Sequence, residues 1–317
     1  MKRTTTIRSR TILVTAVAGP IGHHTIRELI HRRATVRAMM RTNDRRTTGL
    51  RADGVDVVLG DMLDLDSLRA AMEGVSAACF DYPLIPGLID ATAYFAQAAQ
   101  EAGVSTIVNL SQSSAQRNAT NHRAREHWIS ERLLDWSGVP VTHLRPTLSA
   151  QWLLLPWVRH DIIANGLIRL PCGHGRHAPI AAEDQARAIA TILTNPAPHA
   201  GKTYSLFGSV EMDLHGIAKA VGEALGRTVI YTPIELGEFQ ERLHHANLHS
   251  PAIQDLCMVV QGLKDGLFSG TNDHIKTLTG APPITVQSFV KAHFPNEPGL
   301  EERNIDCHYS EIDVDPP

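Results

Sequence analysis

One junction near the start of the chain constrains the fold more than any other feature. An apolar run, Thr11 to Val17, passes through a small-residue turn into a segment where Ile21, Ile26, Leu29 and Ile30 recur at helical spacing. The turn Ala16-Val17-Ala18-Gly19-Pro20-Ile21-Gly22 sets backbone N–H groups and the positive end of a helix dipole where a pyrophosphate would sit. Its small residues let phosphates come close, although the same turn also serves as a plain strand-to-helix connection. Further apolar runs follow at Thr35 to Met40, Val55 to Leu59, Val75 to Phe80, Val104 to Leu110 and Val139 to Leu144. The intervals between them are long enough for crossover helices, and one carries capping oxygens at Asp64 to Ser67 and a closing Gly74. This alternation predicts an α/β fold with a doubly wound parallel sheet.

Beyond about residue 150 the pattern loosens. Gln151 to Asn165 reads as helix, Glu183 to Thr194 as helix, Lys202 to Leu206 as strand and Leu214 to Leu225 as helix. The expected organisation is a nucleotide-binding domain over 11–150, with elements from 178–210 returning to it, and a smaller, mostly helical substrate lobe over 151–295. An acidic, flexible tail is expected over 296–317, and a frayed start at Met1 to Arg10.

Composition narrows the function classes. A formal charge of -3, from 30 Lys+Arg against 33 Asp+Glu, leaves no electrostatic footprint for nucleic acid or an anionic membrane. Apolar runs fall short of a bilayer span or a signal-peptide core. Cys79, Cys172, Cys257 and Cys307 form no C-x-x-C pair, which favours reduced thiols and a cytoplasmic setting.

The second strand runs out through Arg41-Thr42-Asn43-Asp44-Arg45-Arg46. An NAD site places a carboxylate at that strand end for the ribose hydroxyls, whereas Arg41 there pairs with a 2′-phosphate. NADP(H) is favoured on this ground; the other reading of the segment is a solvated basic loop.

On these residues the chain resembles the NmrA-like family of atypical short-chain dehydrogenases/reductases, with its Rossmann-type nucleotide domain. Ile12 to Gly22 is similar to the family's strand and G-x-x-G-x-x-G turn, with Ala16 in place of the first glycine. Val36 to Arg41, Gly54 to Met62 and the Ser137 to Thr147 segment, with its Leu144-Arg145-Pro146, match further family segments, as does Glu183 to Ala188. The resemblance implies that Ala18, Gly19, Pro20, Ile21 and Gly22 hold the pyrophosphate, Arg41 the 2′-phosphate, and Asp61 with Met62 the adenine. It also implies that Asp81, Tyr82, Pro83, Pro146 and Thr147 flank the nicotinamide half.

One departure bears on chemistry. Short-chain reductases use Y-x-x-x-K, in which lysine lowers the tyrosine pKa for proton transfer. Counting from Glu131, which matches the family's helix glutamate, Arg123 stands at the tyrosine place and His127 at the lysine place. The catalytic candidates are then Ser111, after the fifth strand, and His127, as a hydrogen-bond donor to the nicotinamide ribose or as an acid titrating near neutrality.

Other clusters are weaker. Cys172 to His177 holds soft ligands without a partner pair, and no metal site is assigned. His244, His245 and His249 read as a helix surface; Trp128, Trp136, Trp152 and Trp157 line a pocket or fill core. The reading that results is an NADPH-dependent oxidoreductase acting on a small organic carbonyl, enone or quinone, as a monomer or homodimer. Two alternatives stay open: an NADP(H) redox sensor or scaffold that binds a protein partner, and a non-redox cyclase or isomerase on the same fold.

Overall fold

The structure is a computed structural model and describes residues 11–248 and 250–294. The first half runs β1 (Thr11–Val14), α1 (Pro20–His31), β2 (Thr35–Met40), α2 (Arg45–Ala52), β3 (Asp56–Leu59), α3 (Leu65–Met72), β4 (Val75–Phe80), α4 (Leu88–Glu101), β5 (Thr106–Leu110), α5 (His122–Trp136) and β6 (Val141–Pro146). The chain then leaves the sheet through a 3-10 turn (Ala150–Leu154), α6 (Pro156–His160), a π-helical turn (Asp161–Asn165), β7 (Leu167–Leu170) and β8 (Arg176–His177). It returns with α7 (Ala182–Thr194) and β9 (Thr203–Leu206), and ends in β10 (Met212–Asp213), α8 (Leu214–Leu225), β11 (Ile230–Pro233), α9 (Leu236–His245), α10 (Ser250–Lys264), α11 (His274–Thr279) and α12 (Val286–His293).

The seven strands of the main sheet lie in the order β3-β2-β1-β4-β5-β6-β9, and every pairing is parallel. The order reverses between β1 and β4, which opens a crevice at their C-terminal ends. Helices cover both faces, so the central strands are apolar along their length. Ile12 and Val14 face Ile26 and Leu29 of α1 and Ile189 of α7, while Leu13 faces Leu68 of α3 and Phe95 of α4. Phe95 is fully buried, and its truncation to alanine would cost about 3–5 kcal/mol.

A third core belongs to the C-terminal lobe, where Leu153, Ile162, Ile217, Phe239 and Phe289 pack together. Two small sheets, β7 with β11 and β8 with β10, brace it. This arrangement is a doubly wound parallel α/β sheet with a smaller, mostly helical lobe.

Three expectations change. β1 stops at Val14, because the backbone turns left-handed at Ala16, with φ 49°. The single helix expected over Gln151 to Asn165 is broken into three short turns, since Pro156 has no N–H for a continuing helix. The basic segment after Arg41 is not a solvated loop throughout. The Asp44 side chain accepts the Arg46 N–H at 2.8 Å and caps α2.

Among the described residues, no helix is long and apolar enough to cross a membrane. Cys79, Cys172 and Cys257 are free and buried. The tail over 296–317, the chain start, Cys307 and His249 lie outside the described residues.

Candidate functional site

At the β1–α1 turn, Gly19 caps a helix that starts with Pro20, and no side chain closes the cap. The N–H groups of Ile21 and Gly22 are therefore the first donors of the helix, as an anion requires. Gly22 is buried against the turn: a Cβ there would lie 2.5 Å from the Ala16 carbonyl oxygen and 2.9 Å from the Val17 Cα. This close approach brings α1 against β1 and leaves the space in front of the helix start clear of side chains.

Thr15, which the sequence reading passed over, fastens the crevice. Its hydroxyl is 2.9 Å from the Asp81 carbonyl oxygen and 3.2 Å from that of Cys79, and it receives the Asp81 N–H at 3.0 Å. A threonine just past a parallel strand and beside a glycine turn was the available signal.

Around the crevice the strand ends deliver the other expected residues. Arg41, after β2, is exposed and pairs with no carboxylate among the described residues, while Asp44 is occupied by Arg46. Asp61, after β3, accepts the Leu63 N–H at 2.9 Å, and Met62 packs at the edge of the core under α3 and α4. Leu59 and Leu63 are exposed on either side of them, an apolar rim of the kind a flat base packs on.

After β4 the three expected neighbours separate. Asp81 is half-buried, has no cation within ion-pair distance among the described residues, and is pushed up to about 7 by burial. Tyr82 turns into the core, its hydroxyl donating to the Pro86 carbonyl at 2.8 Å. Pro83 is exposed, and its carbonyl accepts from Arg123 at 2.9 Å.

Arg123 also donates to the Ile85 carbonyl at 3.1 Å. The side chain at the family's tyrosine place thus clamps the loop between β4 and α4. His127, one turn on, is nearly buried and makes no hydrogen bond among the described residues. Burial, and after it the Arg123 charge, pushes its pKa down to about 3, so the ring is neutral at pH 7. That differs from the expectation of an imidazole titrating near neutrality.

Ser111 follows β5. Its backbone N–H donates to the Leu144 carbonyl at 2.8 Å, but its hydroxyl is buried without a partner, as is that of Ser113. Both hydroxyls lie at the sheet's C-terminal edge, after β5. Thr147 differs: its hydroxyl donates to the Phe268 carbonyl at 3.1 Å and ties β6 to the lobe, with the partly buried Pro146 beside it.

The weaker clusters resolve into structure. Cys172 is a buried thiol pushed up to about 12, and its N–H donates to the Tyr231 hydroxyl. Trp152 and Trp157 pack on the lobe core, whereas Trp136 is exposed and Trp128 carries Arg132 over its ring. His244 and His245 end α9.

A groove of about 570 Å³ opens between the start of α5 and the helices α9 and α10. Sequence reading missed it, although Gln254, Met258 and Gln261 recur on one side of α10 at helical spacing, with Asp265 just past its end.

The NmrA-like family model matches residues 8–266. A curated relative, the NAD(P)H azoreductase of Xenophilus azovorans, is 27% identical over 284 residues, covering 89% of this chain and 97% of its own. A triphenylmethane reductase of Citrobacter sp., solved with NADP(H), superposes with a TM-score of 0.80 at 25% identity over 89% of this chain and 99% of its own. An NADPH-dependent quinone oxidoreductase of Escherichia coli, solved with NADPH, superposes with a TM-score of 0.79 at 25% identity over 90% of this chain and all of its own (100%).

Proposed function

This chain belongs to the NmrA-like family, and from that premise we propose that it is an NADPH-dependent oxidoreductase acting on a small organic carbonyl, enone or quinone. The observation that carries the reading is the cradle at Gly19 to Gly22, an uncapped helix start held so close to Ala16 that no side chain fits inside it. The relatives that use NAD(P)H on azo, triphenylmethane and quinone compounds support the cofactor and a conjugated acceptor.

The residues present fit that cofactor. The N–H groups of Ile21 and Gly22 take the diphosphate, with Ala18, Gly19 and Pro20 shaping the turn. Arg41 pairs with the 2′-phosphate, and Asp61 and Met62 border the adenine. Asp81, Pro83 and Pro146 bound the nicotinamide half. When bound, NADPH supplies the hydride. Ser111 orients the acceptor oxygen through its unpaired hydroxyl, and neutral His127 donates a hydrogen bond toward the nicotinamide ribose. A proton reaches the acceptor from water, since His127 carries none to spare at pH 7.

Calorimetry with NADPH, NADP+, NADH and NAD+ on the wild type and on Arg41→Ala tests the assignment. Tight NADPH binding that weakens about tenfold or more in the variant is expected from loss of a charge-assisted phosphate pair. Absence of nucleotide binding would leave a repurposed fold.

One observation favours a second reading, a redox sensor that binds a protein partner. Arg123 is committed to a loop and His127 is uncharged, so neither replaces the tyrosine and lysine of the short-chain reductases' Y-x-x-x-K relay. Transfer of deuterium from labelled NADPH to any product of an acceptor panel separates the two readings, and also sets aside a cyclase or isomerase.

A further inference from the structure

The loop between β4 and α4, Pro83-Leu84-Ile85-Pro86-Gly87, is fastened at both ends by groups outside α5. At its entry the Thr15 hydroxyl accepts the Asp81 N–H at 3.0 Å and lies 2.9 Å from the Asp81 carbonyl oxygen. At its exit the Tyr82 hydroxyl donates to the Pro86 carbonyl at 2.8 Å. Gly87, left-handed at φ 103°, there lies against Leu63, whose side chain would stand 3.0 Å from an added Cβ.

The middle of the loop is held differently. Leu84 is exposed at the tip, and Ile85 packs on the edge of the core. Among the described residues, the hydrogen bonds that reach this stretch from outside come from Arg123, Nη2 to the Pro83 carbonyl at 2.9 Å and Nη1 to the Ile85 carbonyl at 3.1 Å. Two carbonyls two residues apart suit the planar guanidinium fork, which the point charge of a lysine cannot reproduce. Arg123 also neighbours the proposed reacting end. His127 follows it one turn along α5, and after burial the Arg123 charge is the next cause that lowers the His127 pKa.

We propose that Arg123 is a positioning residue, a latch that holds the 83–87 loop as a finished wall of the crevice before the cofactor arrives and sets how fast the nicotinamide half leaves. This rests on the NADPH reading, in which Pro83 bounds the nicotinamide half. A wall already ordered need not be ordered at the expense of binding energy. The adenosine half keeps its own wall, because Tyr82 and Leu63 pin the far end of the loop without Arg123.

The first test needs no cofactor. The Ile85 amide donates to the Pro83 carbonyl at 2.8 Å inside the loop, and its hydrogen exchange in Arg123→Gln is expected to quicken by at least about fivefold as the loop opens locally. The second compares NADPH with 2′,5′-ADP, which keeps the adenine and 2′-phosphate and lacks the nicotinamide half. In Arg123→Gln, NADPH should bind at least about fivefold more weakly, mostly through faster release, while 2′,5′-ADP changes less than about twofold. Arg123→Lys keeps the charge beside His127 and loses the fork, so it should resemble Arg123→Gln in both tests. Unchanged Ile85 exchange, equal losses for the two nucleotides, or full recovery in Arg123→Lys would overturn the latch. A wild type that binds neither nucleotide would overturn the NADPH reading and with it the latch's purpose, and the Ile85 exchange tells that failure from failure of the latch itself.

Discussion

Gly22 packs on Ala16 so closely that an added Cβ would stand 2.5 Å from the Ala16 carbonyl oxygen, and Ala16 itself holds a left-handed φ of 49°. The two residues define the β1–α1 turn together: one must lack a side chain, and the other bears one at a conformational cost.

Opposite effects are expected at these two positions. Gly22→Ala forces α1 away from β1, lowering stability by about 1–3 kcal/mol and abolishing NADPH binding. Ala16→Gly relieves the left-handed alanine and raises stability by up to about 1 kcal/mol, with nucleotide binding kept or improved. Urea unfolding paired with nucleotide titration measures both.

Asp81 is expected to make nucleotide affinity depend on pH. Burial raises its carboxyl from 3.8 to about 7, so the fold favours the neutral form. Stability is highest while the group is neutral in both states, and its contribution is lost as pH rises from the unfolded value to about 7. An ionised Asp81 also opposes the incoming phosphates. NADPH affinity is expected to fall by roughly threefold to tenfold between about pH 6 and pH 8, and calorimetry on Asp81→Asn should show that dependence gone.

Glu131 is fully buried on α5 and takes Arg145 of β6 through two contacts, at 2.8 and 2.5 Å. Arg132 stands farther off, at 3.5 Å. Arg145→Ala strands a buried carboxylate and is expected to cost about 3–5 kcal/mol in chemical denaturation. Adding Glu131→Gln to that variant should recover a large part of the loss, because the stranded charge is then gone.

Glu183, at the start of α7, meets His293 of α12 at 3.1 Å and His24 of α1 at 3.7 Å. The Glu183 hydrogen bond raises the His293 pKa, so this pair contributes fully below the unfolded value of 6.5 and fades as pH rises through the folded value. Glu183 is held down to about 2 despite its burial, with His293 the largest favourable cause, so its own contribution is lost only as pH falls from 4.5 toward that value. His24 is lowered by burial and acts in the opposite sense on acidification. The stability difference between wild type and His293→Gln should be largest near pH 5–6, at most about 1 kcal/mol, and vanish above about pH 8.

What the sequence determined is local. The apolar runs and their spacing specified the strands, so β2 and α8 fall where periodicity put them, and the glycine turn falls at an uncapped helix start because such a turn needs only neighbouring backbone. What the tertiary structure decided is long-range. His127 is neutral because the folded chain buries it beside Arg123, and Arg123 clamps a loop 38 to 40 residues away in sequence. The Asp81 carboxyl is raised because the β1–β4 crevice desolvates it, and the groove forms where α9 and α10 lie across from Thr120 and Asn121. Desolvation and contact between distant segments leave no trace in the periodicity of either segment.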